Sequence, residues 1–248
     1  MQIDLNDKVA LVTGSAHRVG RSIALELAKA GVNIMVHYHS ADESQVRDTM
    51  TEIKSYGVDA FSIQANISTE EGVKTIFDEI REDFGRLDIL VNSASVFHKN
   101  VLMDVTLEQW QQSLDINLTA PFLCTQAAVT LMRENDPSSG AIINILDYGA
   151  IRPWADRADH SVSKAGLAML TKISALSLGA DNIRVNGVIP GPVLRDSGNS
   201  EEAWQKIGES LPIGHTGEAE DVARAVVFLA SQNFITGTLM EVNGGEHL

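Results

Sequence analysis

Short runs of apolar residues alternate along the chain with longer segments in which apolar residues recur every three or four positions. The runs predict buried strands, and the longer segments predict amphipathic helices. Repeated alternation of the two favours a parallel sheet with helices on both faces and right-handed crossovers. The predicted strands are Val9–Val12, Asn33–His39, Ala60–Gln64, Leu87–Asn92, Ala141–Leu146, Ile183–Ile189 and Thr238–Val242.

Helical periodicity fills the spaces between these strands, whereas segment 193–217 has a weak pattern and is rich in Gly, Ser, Glu and Asn. We therefore predict one α/β domain over residues 1–248, built on a doubly wound parallel sheet of about seven strands. The predicted helices are a first one around Ile23–Ala28, then Asp42–Tyr56, Thr69–Phe84, about Thr106–Arg133, about Asp159–Leu178 and Glu218–Ala230.

Composition narrows the class of protein. Of the 248 residues 44% are hydrophobic, which is enough for one domain with a large core. The net charge of −14 argues against nucleic acid and anionic membranes as main partners. The single cysteine, Cys124, excludes an intramolecular disulfide, and its apolar neighbours predict that it is buried. With no membrane-length apolar stretch and no signal-peptide pattern at the N-terminus, we expect a cytoplasmic protein, and we predict no metal site.

The turn between the first strand and the first helix predicts an anion site. Backbone N–H groups and the positive end of a helix converge there. Gly14 permits the turn, and Gly20 permits close helix packing or close approach to a phosphate. Arg18 stands where the G-x-G-x-x-G fingerprint would place a glycine, so an ordinary strand-to-helix turn is the alternative. With His17 and Arg21, Arg18 makes this turn a basic exception on an acidic chain.

Polar residues that follow the strands are the candidates for ligand binding, because ligands of such sheets bind beyond the carboxyl ends of the strands. An acid at the end of the second strand would bind the ribose hydroxyls of NAD, but His37–Ser40 stands there and the first acid is Asp42. With no carboxylate to repel a 2′-phosphate and with Arg18 nearby, we predict NADP(H). The alternative for His37 and His39 is that they merely face solvent.

Several motifs, in chain order, resemble those of the short-chain dehydrogenase/reductase family. The resemblance spans the whole chain and implies one Rossmann-type domain that moves hydride between a nicotinamide and a carbonyl, alcohol or related carbon. It also implies an oligomer, for which we predict a homotetramer assembled through the fourth and fifth helices. The motifs are Thr13-Gly14 with Gly20, Asn92-Ser93-Ala94-Ser95, Asn117 in Ile116-Asn117-Leu118, Lys164 in Ser163-Lys164-Ala165, Pro190-Gly191 and Gly244-Gly245.

Within that family, several positions resemble the pteridine reductases: Arg18, His37-Tyr38-His39, Ser95, Phe97 and Asp147. The resemblance implies that Arg18 and the residue after the second strand serve the NADP phosphate. It implies that Phe97 stacks a pterin against the nicotinamide and that Asp147 helps to pass a proton to the ring. An aromatic wall suits a flat heterocycle, and plain core packing is the alternative for Phe97.

The resemblance implies further roles. Lys164 bonds the nicotinamide ribose, Asn117 kinks its helix and holds a water for a proton relay, and Asn66 offers its amide oxygen to the adenine. The usual threonine contacts after Pro190-Gly191 are absent, because Pro192-Val193 follows. The predicted cofactor-binding residues are Gly14, His17, Arg18, Val19, Gly20, His37, Tyr38, His39, Ser40, Asn66, Ile67, Asn92, Ala94, Lys164, Pro190 and Gly191. The predicted substrate-binding residues are Arg18, Ser95, Phe97, Asp147 and Tyr148.

The proton-donating tyrosine of the family, four residues before Lys164, is replaced here by His160. Spacing of four puts both side chains on one helix face. A tyrosine has an ordinary pKa of about 10 and is tuned downward by such a lysine, whereas a histidine, at about 6.5, donates well only as imidazolium. Lys164 disfavours that cation by like-charge repulsion, and Asp147, if close, favours it. The sequence leaves open which effect is larger.

Three hypotheses follow for the predicted catalytic residues Asn117, Asp147, His160 and Lys164. In the first, His160 with Asp147 donates the proton, and activity favours mildly acidic pH. In the second, Asp147, Tyr148 or a water donates while His160 helps to orient. In the third, the reductase is impaired and the chain is a cofactor-binding or assembly protein. An engineered change at residue 160 is a further alternative.

We predict an NADPH-dependent reductase of a small molecule, in first place a pterin. The alternative enzyme is a carbonyl reductase of the 3-oxoacyl-thioester type. Phe97 and Asp147 count against it, as does the shortage of basic residues for a phosphopantetheine entrance. The alternative from another class is a non-catalytic NADP-binding protein. Segment 193–217, with Trp204 and Leu211, is predicted to be the substrate lid.

Overall fold

The computed structural model describes residues 2–195, 198–246 and 248. Within them, the strands are β1 (Val9–Val12), β2 (Asn33–Tyr38), β3 (Ala60–Gln64), β4 (Ile89–Asn92), β5 (Gly140–Ile145), β6 (Ile183–Pro190) and β7 (Leu239–Val242). These seven form one sheet in the order β3-β2-β1-β4-β5-β6-β7, and every neighbouring pair is parallel. The predicted α/β fold is confirmed.

Helices cover both faces of the sheet. On β1, Ala10 and Val12 pack against α1, α2 and α8 on one face, and Val9 and Leu11 pack against α3, α5 and α6 on the other. Because both faces are covered, central strands such as β1 are continuous apolar runs. The α-helices of the described residues are α1 (Arg18–Lys29), α2 (Glu43–Ser55), α3 (Glu70–Asp83), α4 (Leu107–Leu114), α5 (Ala120–Glu134), α6 (Ala158–Leu178), α7 (Glu201–Ser210) and α8 (Ala219–Ser231).

The buried core also contains Cys124, as predicted, and burial raises the pKa of its thiol to about 12. Among the helices of the described part of the chain, none combines the length and the apolar character that a membrane span requires.

The strand order reverses at β1, which pairs with β2 on one side and with β4 on the other. Crossovers on opposite sides of this point diverge, so a crevice is left beyond the carboxyl ends of the strands. The turn after β1 and the loops after β4 and β5 all reach this crevice. The topology thus brings together the polar residues that the sequence places directly after the strands.

The long helix predicted for Thr106–Arg133 is interrupted, which corrects that prediction. A π-helical turn, Asp115–Thr119, separates α4 from α5. Its wider winding places Asn117, which is fully buried, so that the side chain contacts neighbouring segments. The interruption is therefore part of how the site is assembled.

Segment 193–217 contains a helix, α7, that the prediction missed. Ser200 caps it, since its hydroxyl accepts a hydrogen bond from the N–H of Ala203 at 3.2 Å. The helix is short, so its apolar positions are too few to give a clear period in the sequence. Asp196 and Ser197, which belong to the predicted lid, lie outside the described residues.

We expect Gly20→Ala to lower the free energy of unfolding by about 1–3 kcal/mol, although alanine is the better helix former. A Cβ at Gly20 would overlap the carbonyl oxygen of Gly14, which is backbone and cannot rotate away. Denaturant unfolding measures the loss. Gly179→Ala is the control, because a Cβ there meets open space. Equal stability of the two variants would contradict the close approach of α1 to its own turn.

Candidate active site

A cavity of about 740 Å³ opens at the carboxyl edge of the sheet. Its walls come from the turn after β1, the end of β2, the loop after β4, the end of β5, helix α6 and the segment after β6. The predicted site residues that line it are Gly14, His17, Arg18, Val19, Gly20, His37, Tyr38, His39, Ser40, Asn66, Ile67, Ala94, Ser95, Phe97, Asp147, His160, Lys164, Pro190 and Gly191.

Three predicted site residues are not part of this wall. Asn92 is buried in β4, where its Nδ2 donates to Oδ1 of Asn144 at 2.8 Å. The hydroxyl of Tyr148 accepts a hydrogen bond from Arg152 at 3.1 Å, outside the cavity. Asn117 lies behind the loop that follows β4. The ligand contacts of Asn92 and Tyr148 stay predictions, and these two side-chain bonds go to the protein itself.

A buried histidine braces the glycine turn. Gly14 has φ +67°, a left-handed conformation that favours glycine. Its N–H donates to Nδ1 of His37 at 3.1 Å, and the N–H of Ser15 donates to the His37 carbonyl at 3.0 Å. On the other side of the ring, Nε2 of His37 donates to the Ala65 carbonyl at 3.1 Å. These two N–H groups of the turn are thus used by the protein itself, and the anion site is left to the following residues at the start of α1.

Burial lowers the pKa of His37 to about 4, against the opposing effect of its bond to Ala65. The neutral ring matches its partners, because Nδ1 must accept and Nε2 must donate. His37 is therefore buried and neutral, and the hypothesis that it merely faces solvent is wrong.

The basic residues of the turn separate into two groups. His17 and Arg18 are exposed and line the cavity. Arg21 forms an ion pair with Glu52 of α2, and its Nε donates to Oγ1 of Thr49 at 3.1 Å. Arg21 therefore holds α1 against α2, and the positive charge at this end of the cavity rests on Arg18.

The cavity differs in charge from the rest of the molecule. Among the described residues that line it, the basic side chains other than histidine are Arg18 and Lys164, and the one carboxylate is Asp147. The whole chain, by contrast, carries a net charge of −14. An anionic ligand is therefore favoured in the cavity by its local lining.

Asn66 lines the cavity, but its amide oxygen is already engaged. Oδ1 accepts hydrogen bonds from the N–H and the hydroxyl of Ser68, at 3.0 and 2.8 Å. The predicted bond from the adenine amino group to this oxygen is corrected, because both lone pairs are used in the turn that leads to α3.

At the other end of the cavity, His160 is hydrogen-bonded through both ring nitrogens. Nε2 contacts Oδ2 of Asp147, and Nδ1 lies 3.0 Å from the carbonyl oxygen of Val96. Nδ2 of Asn117 lies 3.4 Å from Nδ1, but its two protons have acceptors in the Val96 carbonyl at 3.0 Å and Oγ of Ser163 at 3.1 Å. The Val96 carbonyl only accepts, so Nδ1 donates to it, and Nε2 lies against the carboxyl of Asp147.

The charges around this ring favour an ionised Asp147. Burial by itself raises the pKa of this carboxyl, but the hydrogen bond from His160 and the charge of Lys164 outweigh it, and the net pKa is lowered. Burial lowers the pKa of Lys164, against the opposing charge of Asp147, and Nζ donates to the Ile145 carbonyl at 2.9 Å. Asp147 thus contacts His160 directly, whereas Lys164 donates a hydrogen bond to the backbone.

Asn117 fixes the loop after β4 from behind. Its Oδ1 accepts from the N–H of Val96 at 2.9 Å and from the hydroxyl of Ser95 at 3.0 Å. Because Nδ2 also donates to the Val96 carbonyl, the Asn117 amide binds both the N–H and the carbonyl of Val96. The π-helical turn is what allows a buried side chain of the α4–α5 segment to reach this loop.

Aromatic rings surround His160. The Phe97 ring meets the imidazole edge to face, with centroids 4.6 Å apart, and the Trp154 ring stacks on it with centroids 6.3 Å apart. The guanidinium of Arg157 lies 4.6 Å from the Phe97 centroid. Phe97 is 49% exposed, so the core-packing alternative for it is wrong. Its exposed surface faces the cavity that it lines.

Sequence reasoning missed several residues of the site. Trp154 and Arg157 carry no motif, and Val96 acts through its backbone carbonyl, for which no residue type is a signal. Gln112 and Ile116 could have been found, because their spacing of four puts both on one side of the helical segment. The further cavity-lining residues are Ala16, Ala41, Ser93, Val96, Gln112, Ile116, Ile145, Leu146, Val193 and Leu194.

We expect the free energy of unfolding to fall as the pH is lowered from about 6.5 to about 4. The unfolded chain binds a proton at His37 with an ordinary pKa, whereas the folded protein resists it down to about 4. The difference corresponds to about 3 kcal/mol of stability, present at neutral pH and lost on acidification. Denaturant unfolding across this range measures it.

In His37→Asn the new amide oxygen can still accept the hydrogen bond from the N–H of Gly14, but no group at this position takes up a proton in this range. The free energy of unfolding should therefore fall less steeply with decreasing pH. His39→Asn, at the exposed neighbouring position, is the control and should decline like the unmodified protein. A decline in His37→Asn as steep as in the control would show that His37 does not carry the effect.

Comparisons with known proteins agree with this fold. The family described as "Enoyl-(Acyl carrier protein) reductase" matches residues 14–247. The chain is 38% identical to the 3-oxoacyl-[acyl-carrier-protein] reductase FabG of Staphylococcus aureus over 97% of this chain and 98% of that protein. It is 35% identical to glucose 1-dehydrogenase 2 of Bacillus subtilis, over 99% and 96%. The solved structure of acetoin dehydrogenase YohF from Salmonella typhimurium superposes with a TM-score of 0.87 at 32% identity, over 96% of this chain and 95% of that one. The chain therefore belongs to the short-chain dehydrogenase/reductase family, a family of nicotinamide-dependent oxidoreductases.

Proposed function

We propose that the protein is an NADPH-dependent reductase of a small carbonyl compound, in which His160 and Asp147 together supply the proton. The observation that carries this proposal is the imidazole of His160, buried in the cavity wall with an acceptor on each ring nitrogen. A histidine retained only for packing would have no need of a carboxylate on Nε2.

The lining of the cavity suits a nicotinamide cofactor with a 2′-phosphate. The residues at the end of β2 that line it, His37 to Ala41, include no carboxylate, and Asp42 is the N-cap residue of α2. Arg18 would pair with the phosphate and the exposed side chains of His39 and Ser40 would flank it. Lys164 would hold the nicotinamide ribose, as the family resemblance implies. A bound nicotinamide supplies the hydride.

The proton path follows from exposure and charge. The side chain of Asp147 is 20% exposed and that of His160 is 2% exposed, so Asp147 presents the pair to the cavity. A carboxylate repels a substrate oxygen that gains negative charge, whereas a carboxylic acid donates to it. The proton on Nε2 therefore passes across the contact to Oδ2 and on to the substrate oxygen. Neutral His160 and ionised Asp147 remain, and the charge of Lys164 stabilises that carboxylate.

A 3-oxoacyl thioester is the substrate class best supported by the relatives. FabG of Staphylococcus aureus is described as acting on such a substrate, and it covers nearly the whole chain. The substrate end of the cavity offers apolar walls in Val96, Ile116, Val193 and Leu194 that suit an acyl chain. Segment 193–217 would close over it, as the predicted lid.

A pterin is the second candidate, favoured by Phe97. A half-exposed aromatic ring beside the proton donor can stack on a flat heterocycle, and a carboxylate at Asp147 can bind ring N–H groups. Reduction of a ring C=N bond would need the same proton from the same pair.

We expect the rate of NADPH consumption to fall as the pH rises through about 5 to 8, the range in which a histidine titrates. The lowered pKa of Asp147 keeps this carboxyl ionised, so the proton to be delivered comes from His160. An acetoacetyl thioester and a dihydropterin are the substrates to assay. His160→Phe should lose about 10²–10⁴-fold in kcat, since acid catalysis typically contributes that much.

The control is His160→Tyr, which places the family's own donor at this position and should lose the dependence on pH in that range. A dependence that persists in His160→Tyr would assign it to Lys164 and contradict an imidazolium donor. Tight NADPH binding with no turnover of either substrate, and none in His160→Tyr, would favour a non-catalytic NADP-binding protein.

We expect Arg18→Gln to raise the Kd for NADPH by about 10–100-fold while that for NADH stays nearly unchanged, because a charge-assisted bond to the 2′-phosphate is lost. Fluorescence titration of both nucleotides measures this. Arg21→Gln removes the same charge from the same turn, but Arg21 is bound to Glu52, so its effect on the two nucleotides should be equal. An equal effect of Arg18→Gln on both would contradict the assignment of NADPH.

A further inference from the structure

The loop after β4, residues 95–100, lies against the first turn of α6. The carbonyl of Val96 bonds the ring of His160, and the Phe97 ring packs between that ring and the guanidinium of Arg157. These contacts place the loop directly beside the proposed proton donor. The position of the loop therefore determines where the Val96 carbonyl lies, which is the acceptor at Nδ1 of His160.

Asp159, the residue before His160, anchors this loop. Its side chain is fully buried, and its Oδ2 accepts hydrogen bonds from Nδ1 of His98 at 2.9 Å and from Oγ of Ser113 at 2.5 Å. Burial by itself raises the pKa of this carboxyl, but the bonds from Ser113 and His98 outweigh it, so the pKa is lowered and the group is held as an anion. Of the two donors, His98 belongs to the loop and Ser113 belongs to α4.

We propose that His98 is a positioning residue: through the carboxylate of Asp159 it holds the loop so that the Val96 carbonyl and the Phe97 ring stay against His160. The proposal rests on the proposed function, in which His160 supplies the proton.

The loop is thereby held on both sides of Phe97. On one side Asn117 binds Ser95 and Val96, and on the other His98 binds the start of α6. A charged acceptor gives the stronger of these bonds, since bonds to ionised groups are about twice as strong as neutral ones. Because Asp159 and His160 are consecutive, the anchor and the proton donor move as one unit.

Loss of the anchor should reduce the rate of the chemical step more than it reduces binding. His98→Ala leaves the loop tied at the Asn117 end only, and displacements of about 1 Å at a reacting group can cost about 10²-fold in rate. We expect kcat to fall by about tenfold or more, and the Kd for NADPH to change by less than about twofold. His98→Asn keeps a donor near the position of Nδ1 and should recover most of the rate.

Ser113→Ala is the matched control. It removes the other donor from the same carboxylate oxygen, together with the 3.3 Å contact of Oγ with Nδ1 of His98, but the bond from His98 to Asp159 still ties the loop. The kcat should therefore stay within about twofold while the stability drops as in His98→Ala. Similar losses of kcat in the two variants would overturn the proposal, because the effect would then belong to the buried carboxylate and not to the loop. If His98→Ala does not fold, His98→Ala combined with Asp159→Asn removes the partner and the charge together and should show the same loss of kcat.

A measurement that needs no substrate can test the role of His98 separately from the proposed reductase activity. Proton–nitrogen spectra of the histidine rings in the free protein report the bonds at Nδ1 and Nε2 of His160. We expect the Nδ1 proton of His160 to exchange faster and shift in His98→Ala, and to stay unchanged in Ser113→Ala and His98→Asn. An unchanged spectrum in His98→Ala would overturn the proposal whatever the activity. The expected shift in a protein that turns over none of the substrates would support the anchor and contradict the reductase.

Discussion

The imidazole of His160 lies between two oxygens that can only accept, and this constraint organises the reacting end of the molecule. A buried charge is tolerated only where it is paired, and the carboxylate of Asp147 contacts Nε2 of the ring. Lys164, one helical turn away and also buried, lowers the pKa of the same carboxyl by its charge. The arrangement explains why Asp147 is held ionised in a place where burial alone would protonate it.

A histidine at position 160 would give Lys164 a different role from the one that it has beside a phenol. In water an imidazolium is a stronger acid than a phenol by about 3.5 pKa units, or about 5 kcal/mol. A phenol needs a neighbouring cation to donate near neutral pH, and an imidazolium does not. Repulsion by Lys164 would even make the imidazolium harder to keep. The contact with Asp147 offsets that repulsion, so a carboxylate after β5 and a histidine on α6 are mutually dependent, and either one alone would suit the site less well.

The sheet could be predicted because its central strands are covered on both faces and so read as continuous apolar runs at positions such as Val9–Val12 and Ile89–Val91. The convergence of Gly14, Asp147 and His160 also followed from sequence, since the carboxyl ends of parallel strands share one edge. What could not be predicted depends on partners distant in the chain. The π-helical turn at Asn117 exists because its amide binds a loop about twenty residues earlier. The α7 helix is too short to show a period.

The same reason accounts for the corrections within the site. His37, Asn66 and Arg21 have the residue types of ligand contacts, yet each is engaged by the protein, His37 by Gly14, Asn66 by Ser68 and Arg21 by Glu52. A residue type states what a side chain can bind and not which partner is nearest. Val96 shows the converse, since its part in the site comes from a backbone carbonyl that every residue has.

Net charge and cavity charge act over different distances, and this bears on the substrate. At physiological ionic strength the Debye length is about 8 Å, so a small anion inside the cavity interacts mainly with Arg18, Lys164 and Asp147. The net charge of −14 is then largely screened from it. An acidic carrier protein is different, because its own surface must come within that distance of an acidic surface over a wide area. The local lining therefore acts on a small ligand inside the cavity, whereas the net charge acts on a protein that approaches the surface.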